Sequence, residues 1–444
     1  MNRRTFLSYC MKGGASVAAL TQLQLQAFQG SLSYSFDDHK ALVCVFLYGG
    51  NDSLNMLVPI EGEQRSLYEA SRQNLAVANA LQLSPVTDIA GGVGLHPAMD
   101  PIKSLFDNQD LAFVSGVGSL IVPTTKADYQ NETVPLPKHL FSHNDQQATW
   151  MHGREKVSLN SGWGARLLER IEQGNSFVNN ISLAGTNPWQ TSVNLTPFSL
   201  HQSGVSRINP INGDGNRAAH VRSLMNRVLA QSSHPLASAY GTKMQKAITN
   251  TEAMNSAIES SDDLSSFFSD TSLSQQLHTV AKSISVRQTL DAKRQIYFVS
   301  MGGFDTHDNQ LTTHPALLGA LSQSLSEFNA AISSINANDD VTLFTMSDFG
   351  RTLTSNGDGT DHGWAGNQIV MGGAVNGGEI YGSFMTQHLD GPNDTRGGRL
   401  IPQVANEQYF ASLARWFGLD NSELVDIFPN LANFNSHTLP FMGS

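Results

Sequence analysis

The residues best suited to chemistry in this chain are acids and histidines placed just after apolar runs. Asp305 and His307 lie two apart in GGFDTHDNQ (302–310), so in an extended segment both point the same way. A carboxylate and an imidazole on one side suit Zn²⁺ or a similar ion. Asp308 and His314 are further polar options nearby. Asp348 ends the run VTLFTMSD and Arg351 follows within a turn. An Arg beside a metal-binding carboxylate is a natural clamp for a tetrahedral oxyanion; the alternative is a structural ion pair between the two. Asn51 and Asp52 follow two glycines in FLYGGND and would face the same rim; taken alone, the cluster reads first as a turn with Asp52 capping the next helix. His362 belongs to DHGW, in the Gly-rich loop SNGDGTDHGWAGN (355–367), and gains weight only from these neighbours. Ser142 and His143 stand just before an expected helix. A Ser there is an N-cap, or a hydroxyl that a metal could activate for attack on phosphorus or sulfur.

These clusters need elements that bring them together. Four apolar runs, ALVCVFLYGGND (41–52), LAFVSGVGS (111–119), IYFVSMGGFDTH (296–307) and VTLFTMSDFGR (341–351), are each long enough for one fully buried strand. Open parallel sheets place their sites outside the carboxyl ends of the strands, so distant segments would deliver carboxylates to one rim. Helical spacing in 95–110 between the first two runs gives a strand, helix, strand unit and favours parallel pairing. A helix is expected from near Asn144 and another after SGWG (161–164). Further helices are expected from Pro315 and near 407–418, with a strand at 368–375. Residues 216–292 are Ser-, Ala- and Gln-rich with helical periodicity, which reads as a helical insertion or cap.

Length and charge bound the rest. With 444 residues there is ample chain for a large core. No apolar run approaches the ~18 residues that span a bilayer. Residues 1–30 open with Arg3 and Arg4 before Thr5-Phe6-Leu7 and a mildly apolar stretch, the pattern of a twin-arginine export signal. That predicts a periplasmic or otherwise exported protein and the twin-arginine machinery as a partner. The formal charge is −11, and removing Arg3, Arg4 and Lys12 with the signal would give −11 − 3 = −14, a poor balance for nucleic acid. Of the two Cys, Cys10 lies in the signal and Cys44 inside the first run, so no disulfide framework is expected. Neither a G-x-S-x-G elbow nor a G-x-x-x-x-G-K-[ST] loop occurs.

In combination, the blocks NRRTFL, FLYGGND, SHNDQQATW, GWGARLLE, SMGGFDTHDNQ and SDFGRT…DHGW, spread over about 38–418, closely resemble family 1501 of the domains of unknown function. Members of that group resemble the alkaline phosphatase and sulfatase superfamily. This implies an α/β fold of three layers, a large mostly parallel sheet with helices on both faces, over about 38–420. It also implies one or two divalent ions at the strand ends. Carried over by position, Asp52, Asp305, His307, Asp348 and His362 would be metal ligands and Ser142 the nucleophile, with His143 an alternative ligand or acid. Arg351 and Asn51 would meet substrate. Two departures stand out: the pair is Asp305-x-His307 where the superfamily has a longer spacing, and Asp348 is followed by Phe349 where a phosphatase has His. Asp305, His307 and His362 would hold one ion. Asp52 and Asp348 would offer a second only oxygen, unless His143 completes it, which favours Mg²⁺, Mn²⁺ or Ca²⁺ over Zn²⁺. No C/S-x-P-x-R sulfatase motif occurs. The expected activity is an exported metal-dependent hydrolase of small or polymeric phosphate or sulfate esters. The alternative is a non-catalytic binding protein that keeps the fold and a partial metal site.

Overall fold

The four apolar runs form the strands expected of them, and they share one sheet. The computed structural model describes residues 34–154, 161–171, 177–201, 215–230 and 235–443; the expected export signal lies outside them. The elements below belong to the unit Asp37–Ser444. Its main sheet contains β1 (Lys40–Leu47), β2 (Leu111–Gly118), β3 (Asn180–Ser182), β4 (Phe198–Ser199), β5 (Arg294–Met301), β6 (Val341–Ser347), β7 (Gly366–Met371), β8 (Ile380–Tyr381) and β9 (Val404–Ala405). The order across it is β8-β2-β7-β6-β1-β5-β3-β4, with β9 beside β2. Among these strands β7 alone runs against the rest.

β1 sits between β5 and β6, in parallel with both. Leu47 is level with Met301 on one side and Ser347 on the other, so three carboxyl ends finish flush. That register carries GGND, GGFDTH and SDFGR to one rim. β1 and β2 run the same way, but they are not neighbours: β6 and β7 lie between them. The strand, helix, strand unit therefore gives direction without pairing. The expected 368–375 strand stops at Met371, because Gly372, at φ +148, turns away and donates its N–H to the Asp110 carbonyl at 2.9 Å.

Both faces of the sheet are covered. Ala41, Val43, Val45 and Leu47 join Tyr297, Val299 and Leu343 against the helices Asp100–Asp107, Ser272–Ser285 and Gln310–Ser334. On the other face Phe298 and Phe344, both register partners of Cys44, meet Trp189; Phe344 also meets Trp163, which stacks on Phe410 at 4.8 Å. This brings in the helices Trp163–Ile171 and Asn406–Phe417. Each fully buried Leu, Phe or Ile stabilises the fold by about 1.5–3 kcal/mol, which is why strands apolar on both sides settle at the centre.

Two local features differ from the periodicity. The Gln310–Ser334 helix starts five residues before Pro315 and keeps the proline inside it. Buried Gln310 and His314, held by Asp52 and Asn51, extend it upstream. The helical segment 216–292 contains Asn216–Ala230, Pro235–Glu259 and Ser272–Ser285. The last of these packs into the main core, where Ser283 and Tyr297 hydroxyls meet at 3.0 Å.

Candidate metal centre

The rim is built from four pieces of chain. Gly49 and Gly50, at φ +113 and +79, turn the chain sharply after β1. A side chain at Gly49 would strike the Asp305 backbone, and one at Gly50 the Phe349 ring, so both positions require glycine. After β5 the chain curls through short turns, with His307 N–H donating to the Asp305 carbonyl at 3.0 Å. The Asp305 and His307 side chains still meet, with Oδ1 and Nε2 3.0 Å apart. The Gly-rich loop forms a ladder, Arg351–Ser355 against Thr360–His362, in which Arg351 faces His362. Gly359 lets this loop lie against the carbonyls of Thr306 and His307, and Thr360 N–H donates to Thr306 O at 3.1 Å. The fourth piece is the helix His143–His152, which Gln146 ties to the end of β2 by accepting from Ser119 Oγ at 2.7 Å.

His143, Asp305 and His362 each bring a ligand atom within 4.8 Å of the others. His143 Nε2 is 3.5 Å from Asp305 Oδ2, and His362 Nε2 is 3.3 Å from Asp305 Oδ1. His307 Nε2 is 3.0 Å from His362 Nε2. Two outer nitrogens are hydrogen-bonded, and the third faces a carboxylate. His362 Nδ1 lies 2.8 Å from the Phe141 carbonyl, which can only accept, so a neutral ring carries its proton there. His143 Nδ1 lies 2.6 Å from Asp348 Oδ2, and His307 Nδ1 lies 3.4 Å from Asp361 Oδ1. Ligating histidines are held in this way, with one nitrogen on a carbonyl or carboxylate and the other turned inward.

The inward atoms are therefore rich in lone pairs. Burial lowers the His362 pKa and favours the neutral ring, against the Phe141 bond that raises it. A proton on His307 Nε2 would satisfy one of the facing acceptors; a cation satisfies them together. Burial raises the Asp305 pKa, but the Arg351 hydrogen bond and charge, with His307 and His143, bring it below the usual value. Asp305 thus stays a carboxylate. The donor set of imidazoles and one carboxylate fits a divalent ion, and Phe349 packs against both His143 and His362, with ring centroids 4.9 and 4.6 Å away, while those two rings meet edge-on at 4.4 Å.

The other expected residues are placed differently. Asp348 is fully buried and serves His143; Oδ2 also accepts from Gln147 Nε2 at 2.9 Å and Gly49 N–H at 3.2 Å. Its Oδ1 has no hydrogen-bond partner among the described residues, and burial raises its pKa. Asp52 is fully buried, with Oδ1 paired to the equally buried Arg72 and Oδ2 accepting from Gln310 Nε2 at 2.5 Å. Both its oxygens are engaged by protein, and the structure does not gather it with the three-residue cluster. Arg351, also buried, donates to Asp305 Oδ1 at 2.7 Å, Gly49 O at 3.3 Å and the Thr360 carbonyl and hydroxyl. Asn51 accepts from His314 Nε2 at 3.0 Å and points its amide nitrogen at Met56 sulfur, inside the protein. Ser142 Oγ donates to Asp145 Oδ2 at 2.7 Å.

Sequence reading missed Arg72, Gln147, Asp361 and the Phe141 carbonyl. Arg72 closes an ordinary helix, Gly62–Arg72, and nothing local marks it as the partner of Asp52. Gln310 and Asp361 stood inside the quoted blocks without a role. A main-chain carbonyl such as that of Phe141 leaves no trace in residue type.

No curated protein matches the chain. Among solved structures, the lipoteichoic acid synthase LtaP from Listeria monocytogenes is similar at 9% identity and a TM-score of 0.35, over 92% of this chain and 81% of that one. The PsFucS1 sulfatase from Pseudoalteromonas sp. gives 12% and 0.33, over 97% and 74%. The alkaline phosphatase from the Antarctic bacterium TAB5 gives 6% and 0.30, over 89% and 99%. The family model described as "Protein of unknown function (DUF1501)" matches residues 39–424, nearly the whole of the described unit, and the chain belongs to that family.

Proposed function

We propose that this protein is a metal-dependent hydrolase of phosphate or sulfate esters built around one divalent ion. The observation that carries the reading is the convergence of three imidazole Nε2 atoms on the Asp305 carboxylate, with the outer nitrogens of His143 and His362 hydrogen-bonded to acceptors and that of His307 facing Asp361. His143, Asp305 and His362 would hold the ion, with His307 beside them. A nitrogen-rich set of this kind favours Zn²⁺ or a similar transition ion over Mg²⁺ or Ca²⁺. When bound, such an ion polarises an ester oxygen and lowers the pKa of a nearby hydroxyl or water.

The remaining roles belong to the chain itself. Arg351 holds Asp305 in place and does not meet substrate, because it is buried and each of its nitrogens already donates to a protein acceptor. Asp348 fixes the tautomer and orientation of His143. In our reading Arg72 supplies the positive charge that Asp52 would otherwise seek from a second ion. Ser142 is the candidate nucleophile, with Asp145 hydrogen-bonded to its hydroxyl and able to take its proton. We further propose that the chain is exported, on the twin-arginine pattern at its start. No helix among the described residues is long and apolar enough to cross a membrane.

The test is turnover of a panel of phosphate and sulfate esters by the full chain. Activity lost in both Asp305→Ala and Ser142→Ala supports the reading. Activity that survives Asp305→Ala contradicts it. A protein that binds metal yet turns over none of the panel would favour the binding-protein alternative.

A further inference from the structure

Among the described residues, three arginines adjoin the centre or its supporting shell, and two of them are committed to the fold. Arg72 is paired with Asp52, and its other nitrogens donate to Asn55 Oδ1 and the Thr352 carbonyl. Arg351 makes four hydrogen bonds, to Asp305, Gly49 and twice to Thr360, and all three of its nitrogens take part. Both are fully buried. The third, Arg399, differs. Its Nε donates to the main-chain oxygen of His362 at 3.1 Å, and its guanidinium lies over the Phe141 ring, 4.5 Å from the centroid. Its two terminal nitrogens have no hydrogen-bond partner among the described residues, and the side chain is half-buried.

The loop that presents Arg399 is tied to the centre. Asp394 Oδ1 accepts from Gly398 N–H at 2.9 Å, and Thr395 N–H and Oγ1 both reach the Arg399 carbonyl, at 3.0 and 3.1 Å. Leu353 N–H donates to Gly398 O and Ala365 N–H to Leu400 O, which fastens the loop to the ladder that carries Arg351 and His362. Gly398, at φ +80, lies so close to Leu353 that a side chain there would collide with it. Phe141 thus works at both ends: its carbonyl fixes the His362 ring and its own ring fixes the Arg399 plane. A guanidinium held by one nitrogen and one face, with the rest of its fork free, is prepared for two parallel hydrogen bonds to an oxyanion.

We propose that Arg399 is the substrate-binding cation of this site and receives the tetrahedral phosphate or sulfate group. This rests on the metal-centre reading above and places the anion-binding role on Arg399 in place of Arg351. The chemistry admits both oxyanions, and parallel titrations separate them.

The experiment is calorimetric titration of inorganic phosphate, and separately of sulfate, into the metal-loaded full chain, with metal content measured on the same samples. Wild type should bind at least one of the two. Arg399→Ala should weaken that binding about tenfold or more, as loss of charge-assisted hydrogen bonds does. Arg399→Gln should weaken it similarly, and Arg399→Lys should keep a part. Exposed Arg396, three residues earlier, gives the control: Arg396→Ala should bind as wild type does. Metal content should be equal in all five proteins. Wild type that binds neither anion overturns the proposal, and so does Arg399→Ala or Arg399→Gln with undiminished affinity while metal is retained. Equal weakening in Arg396→Ala overturns the assignment to Arg399. Wild type without metal overturns the metal-centre reading itself, and this proposal with it.

Discussion

The Nε2 atoms of His307 and His362 stand 3.0 Å apart, although the residues come from the end of a central strand and from a glycine-rich loop. Each ring has its outer nitrogen near an acceptor, Asp361 for one and the Phe141 carbonyl for the other. Both therefore turn a potential lone pair toward Asp305. Two imidazole nitrogens at that separation repel unless a proton or a cation lies between them.

Arg351 faces His362 in the two-stranded ladder and grips Asp305, so it should control metal affinity without touching substrate. Arg351→Lys cannot reach Asp305, Gly49 and Thr360 together. It should lower metal affinity at least tenfold, in the range of outer-shell changes, and destabilise the fold by about 2–4 kcal/mol. Metal titration and denaturant unfolding of the same variant check both. Unchanged metal affinity would assign Arg351 to the fold alone.

Asp52→Asn separates the internal ion pair from a second metal site. The change leaves Arg72 buried without its countercharge, and should cost about 3–5 kcal/mol of stability. Metal stoichiometry should stay as in wild type. A fall in bound metal, with the protein still folded, would return Asp52 to the ligand set.

His314 predicts a pH dependence of stability. It is 2% exposed, and burial lowers its pKa from 6.5 to about 4, with Asp52 opposing and His96, Arg72 and Arg351 adding to the effect. The folded state then binds fewer protons than the unfolded state between these values. Its contribution is full above about pH 6.5 and is lost as pH falls toward 4, at about 1.4 kcal/mol per pKa unit. His314→Gln keeps a donor toward Asn51 and removes the titration. Its stability should fall less steeply than that of wild type from pH 7 to 4.5, as read by denaturant unfolding. Parallel curves would contradict the assignment.

The strand ends were readable because chemistry and burial coincide there. A run such as LVCVFL is apolar at every position, so it must be covered on both faces, and the polar cluster after it must surface at a rim. Asp305, His307, Asp348 and His362 all lie in such clusters or beside them. What residue types could not show was how each oxygen is engaged. Asp52 and Asp305 follow glycine pairs in much the same way, yet one meets Arg72 and the other the imidazoles. That difference is set by a helix end and by a loop, neither of which has a periodic signal. Ser142 and Arg399 show the same limit, since the sequence marks a possible helix cap but not the loop that lays a guanidinium on Phe141.

The geometry of the rim calls for a single divalent ion held by His143, Asp305 and His362. Elemental analysis of the purified full chain, equilibrated with Zn²⁺ or Mn²⁺ and then desalted, tests it most directly. We predict one equivalent of metal per chain in wild type, little or none in Asp305→Ala and in His362→Ala, and one equivalent in Asp52→Asn. Wild type without stoichiometric metal, or folded Asp305→Ala and His362→Ala proteins that keep theirs, would rule out a metal centre at these residues.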